Sequence, residues 1–103
     1  MNYDRITKME FNLHEIEAAT KDLQEALDRL KLYRKQAKDL YSYYGSEAWH
    51  KDREEHSAAV DKKEDVPKAG VLSEDLIYDS ITELRDTAFT MLELGTEILK
   101  EWI

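Results

Sequence analysis

Between Tyr3 and Tyr44 the chain has neither Gly nor Pro, and its apolar residues return at alternating steps of three and four. The stripe runs through Ile6, Met9, Leu13, Ile16, Thr20, Leu23, Leu27, Leu30, Arg34, Ala37, Tyr41 and Tyr44. Ten of these twelve heptad a and d positions are apolar or aromatic, over six heptads. A strand would alternate with period two, and this segment does not. A sustained seven-residue repeat predicts a coiled-coil helix over residues 3–44, a rod on the order of 60 Å long. A helix of that kind depends on burying its apolar face, and each buried Leu or Ile contributes about 1.5–3 kcal/mol. Thr20 and Arg34 interrupt the stripe. Arg34 either lays its stem along the seam or acts as a register device. Ala19, Ala26, Tyr33 and Leu40, at g, widen the face beyond a two-stranded seam and point to a bundle.

Gly45 is placed to cap this rod in the left-handed conformation, and Ser46 to cap a short helix over about 46–58. Charged residues, Pro67 and Gly70 predict a loop over about 60–72. Ser73 then caps a last helix over 73–102, with Glu74 and Asp75 favourably placed in its first turn. That helix repeats the heptad through Ile77, Ile81, Leu84, Ala88, Met91, Gly95, Ile98 and Trp102. The expectation is an all-α single domain, residues 1–103: a long antiparallel helical hairpin with a short intervening helix. Two such broad apolar faces are expected to complete a four-helix bundle as a C2 homodimer. Charge supports antiparallel packing. Residues 29–44 hold five basic residues against one acidic, and residues 72–86 five acidic against one basic.

Composition narrows the function classes. With 15 Lys and Arg against 23 Asp and Glu the net charge is −8, and no exposed basic stripe suits nucleic acid. Cys is absent, which excludes disulfides, a thiol nucleophile and thiolate metal sites. No apolar run is long enough to span a bilayer, and the first residues lack the apolar core of a signal peptide. A cytoplasmic protein with no membrane contact is expected. His50, Asp52, Glu54, Glu55 and His56 do not form an HExxH motif, and His50 and His56 do not share a helical face. Glu54, Glu55, Glu74, Asp75 and Asp79 would have to supply any magnesium site of a helical nucleotide pyrophosphohydrolase. No phosphate-cradling Gly loop accompanies them. Neither a cofactor, a metal nor catalysis is expected.

The densest chemistry lies around the bend. Tyr41, Tyr43, Tyr44 and Trp49 either plug the end of the hairpin or present a contact surface to an unidentified protein. The candidate contact surface or structural lock comprises Tyr43, Tyr44, Trp49, Asp52, Leu72, Ser73, Glu74 and Asp75. Residues 72–103 carry eight acidic and two basic residues, which also suits an acidic inhibitor or immunity-type protein directed at a basic surface.

The order Tyr43-Tyr44-Gly45-Ser46-Glu47, with Trp49 and Asp52, precedes a charged loop and then Pro67, Gly70, Val71, Leu72, Ser73, Glu74 and Asp75. With the opening RITKME, this pattern resembles a family of small bacterial and phage proteins, domain of unknown function 4298. The resemblance covers essentially the whole chain and is most specific over residues 43–75. It implies a bacterial or prophage setting and carries no catalytic residue or cofactor with it. A small protein-interaction module is therefore the expected function.

Overall fold

Helical periodicity and the scarcity of Gly and Pro lead to an all-α chain. The computed structural model describes residues 1–102, and among them are four α-helices, one short 3-10 turn and no strand. They are α1 (Tyr3–Leu32), α2 (Arg34–Tyr43), α3 (Glu47–Asp61), the 3-10 turn Gly70–Leu72, and α4 (Glu74–Trp102). They fall into two compact units, Met1–Lys38 and Asp39–Ile103.

In the first unit, the Asn2 side chain accepts a hydrogen bond from the Arg5 N–H at 2.9 Å and caps α1. The rod expected over 3–44 is interrupted at Tyr33, whose φ of −95° and ψ of 10° fall outside the helical region. Helical hydrogen bonds still cross the break, from Tyr33 N to Arg29 O at 3.1 Å and from Ala37 N to Tyr33 O at 2.9 Å. Gly and Pro, the usual causes of such a break, are absent there, and no side-chain contact explains it. No residue of α1 is buried. Ile16 is 61% exposed and Leu23 51%, with Leu27 half-buried.

The second unit contains the buried core, Trp49 and Ile77, which are 2% and 3% exposed. Gly45 ends α2 at φ +76°, a conformation that costs Gly little. A Cβ there would meet nothing within 4 Å, so the position is selected by backbone conformation and not by space. The helix expected to end near 58 continues to Asp61. Its terminus is a Schellman motif, with Glu64 N bonded to Ala59 O and Lys63 N to Val60 O. Lys63 takes the left-handed position at φ 58°, so the chain carries no Gly to announce this stop. Along α4, Ile81, Leu84 and Met91 are half-buried, whereas Leu92 is 68% exposed. No helix among the described residues is long and apolar enough to cross a membrane.

Candidate functional site

The site is built where α2 turns into α3. Ser46 is the N-cap of α3, its hydroxyl accepting from Trp49 N at 3.2 Å. The same hydroxyl donates to the Tyr43 carbonyl at 2.6 Å, which joins the end of one helix to the start of the next. With Gly45 reversing the chain, this short connection sets Trp49 in the first turn of α3, facing inward.

Trp49 then meets the second half of the motif. Its indole N–H donates to the Val71 carbonyl at 2.9 Å, so the ring is both buried and satisfied. The Tyr44 ring stands edge-on to it at 5.3 Å. The Arg53 guanidinium lies 5.2 Å from the indole centroid and reaches Glu74 Oε1 at 3.0 Å. Glu74 is thus a partner of both the α4 dipole and Arg53. Two bonds extend the lock. The Tyr43 hydroxyl donates to Asp52 Oδ2 at 2.6 Å, and the Tyr41 hydroxyl lies 3.0 Å from Ser80 Oγ. His56 Nε2 lies 3.3 Å from the Pro67 carbonyl. The hydrogen bond to Asp52 favours the neutral phenol and raises the Tyr43 pKa above 10.0, with desolvation and the Asp52 charge adding to it.

The eight expected residues take the following places. Tyr43 and Tyr44 are half-buried, Trp49 is buried, Asp52 is exposed and bonded to Tyr43, Leu72 is half-buried in the 3-10 turn, and Glu74 holds Arg53. Ser73, half-buried, has an extended backbone before α4, and its N–H bonds to Gly70 O at 3.0 Å. Asp75 is exposed in the first turn of α4. Arg53 and Ser80 belong to the same network and were not among the expected residues. Arg53 was legible, because it lies one helical turn after Trp49 and shares its face. Ser80 was not, because its partner Tyr41 is 39 residues away.

Burial of Trp49 withdraws the largest aromatic surface from any docking partner. A groove of about 460 Å³ lies between α3 and the loop, its lining including Asp52, His56, Ala59, Pro67 and Leu72. Among the described residues no group of three or more His, Asp or Glu is placed to hold a metal ion. The arrangement is one of rings, hydroxyls and one charged pair fastening three helices.

A family model described as a domain of unknown function (DUF4298) matches residues 6–94. No curated protein and no solved structure matches the chain.

Proposed function

The chain belongs to the DUF4298 family, and on that premise we propose that it is a small non-catalytic module that acts by binding protein, its first partner a second copy of itself. One observation carries this reading: the seam of α1 stands open. Ile6, Met9, Leu13, Ile16, Leu23 and Leu30 are all exposed, although their heptad spacing is that of a buried face. A 30-residue helix with no buried residue has little reason to hold its form in water without a cover over that stripe. The exposed Leu92, Ile98, Leu99 and Trp102 of α4 present the same problem.

A second copy meets both needs at once. A two-fold dimer brings together two α1 and two α4 seams, and a four-helix bundle covers them with like-shaped surfaces. The bend, with Trp49 at its centre, serves as the lock that fixes α3 and the loop on the start of α4.

Sedimentation equilibrium across a wide concentration range tests the reading. The expected mass is twice 12.1 kDa at high concentration, dissociating on dilution. A mass of 12.1 kDa at every concentration overturns it. Thermal scans with nucleotides and magnesium should show no shift. A shift removed by changing Glu54, Glu55 or Asp79 would assign the chain to nucleotide hydrolysis instead.

A further inference from the structure

The apolar stripe of α1, followed past Tyr33 into the start of α2, has a charged flank. With Ile6, Leu13, Thr20, Leu27 and Arg34 at a, the e positions hold Glu10, Glu17, Gln24, Lys31 and Lys38. The row passes from acidic to basic and is antisymmetric about Gln24. Successive e residues are seven apart, roughly 10 Å along the axis, so they do not pair with each other. Among the described residues Glu17, Lys31 and Lys38 enter no ion pair, and Glu10 meets only His14, at 3.5 Å. In a parallel helix pair an e residue faces g of the partner, whereas in an antiparallel pair e faces e and g faces g.

We infer that the stripe of α1, continued past Tyr33 into the first residues of α2, pairs antiparallel with the same stripe of a second copy, in the register that sets Leu23 against Leu27 of that copy. The inference rests on the dimer reading above and supplies its orientation. In this register Glu17 faces Lys31 of the second copy and Glu10 faces Lys38, while Gln24 faces Gln24. The two-fold axis repeats each contact. Sliding one heptad in either direction leaves a single kind of Glu–Lys pair in place of two. A parallel pair leaves Arg5 with Glu10 as its one opposite-charge contact and sets Arg34 against Arg34 inside the seam.

The other edge of the stripe agrees. In the same register Ala26 faces Ala26 across the axis, where small side chains permit close approach, and Ala19 faces the bulky Tyr33. A concavity lined in part by Ala26, Leu30 and Tyr33 lies on that edge. Both interruptions of the stripe are also accounted for. Arg34 comes opposite Ile16 and beside Glu17 of the second copy. Thr20 comes opposite Leu30, and its hydroxyl already donates to the Ile16 carbonyl at 2.7 Å, so covering it strands no donor.

The absence of Cys allows clean spin labelling of Thr7→Cys and Glu25→Cys, both on the outer side of α1. The two-fold axis passes near residue 25. Labels there should give a short distance, and labels at 7 a separation of about 50 Å from the helical rise. Short distances at both positions overturn the antiparallel register while leaving the dimer reading intact. A monomer by sedimentation overturns both. Glu17→Lys should raise the dimer Kd about tenfold at low salt, and adding Lys31→Glu should restore it. A double variant as weak as the single one overturns the register independently, with helical circular dichroism verifying that each variant is folded.

Discussion

Replacing Trp49 by Ala removes a ring that fills the core of the second unit and strands the Val71 carbonyl, so the expected loss is about 3–5 kcal/mol. Trp49→Phe keeps most of the volume and loses the N–H, for about 1–2 kcal/mol. Urea unfolding followed by circular dichroism separates the two, and an unchanged midpoint for Trp49→Ala would remove the ring from its structural role. Lys63→Gly has the opposite sign. Lys63 sits at φ 58°, where a β-carbon is strained, so Gly should stabilise the α3 terminus by about 0.5–1 kcal/mol in the same measurement. Tyr43 supplies a pH signature. Its folded pKa is raised, so the bond to Asp52 contributes in full below pH 10.0 and is lost as pH rises through the higher folded value. Tyr43→Phe should therefore melt with a flatter alkaline limb than the parent chain.

Among the elements, the α2–α3 junction and α1 answer to different causes. Ser46→Ala deletes the acceptor for Trp49 N and the donor to the Tyr43 carbonyl, and should cost about 1 kcal/mol. A thermal melt of that variant checks it. The heptad pattern announced α1 and α4, because periodicity is a local property of a helix and needs no knowledge of what lies across from it. Gly45 and Ser46 were equally legible, since each is recognised by its own backbone chemistry. The break at Tyr33 and the extension of α3 to Asp61 were not. One involves no Gly or Pro, and the other ends on a Lys in a conformation that Gly usually takes.

For the whole molecule, the open seams make assembly the central physical question. If a second copy covers them, Tm should rise with protein concentration, since the folded dimer is favoured by mass action. Leu23→Ala should then weaken assembly, because Leu23 is half exposed in the single chain and has little there to lose. Sedimentation reads that change directly. The amino-acid order by itself determined the helical character, the apolar stripes, the stop at Gly45 and the start at Ser46, and the family pattern around Trp49. Each of these follows from spacing and side-chain chemistry within a few turns. Only the tertiary structure decided that Trp49 bonds Val71, that Arg53 spans to Glu74 and that Tyr41 meets Ser80. Those outcomes depend on residues far apart in sequence coming within a few ångströms, and hydrophobic spacing demands burial without naming the surface that provides it.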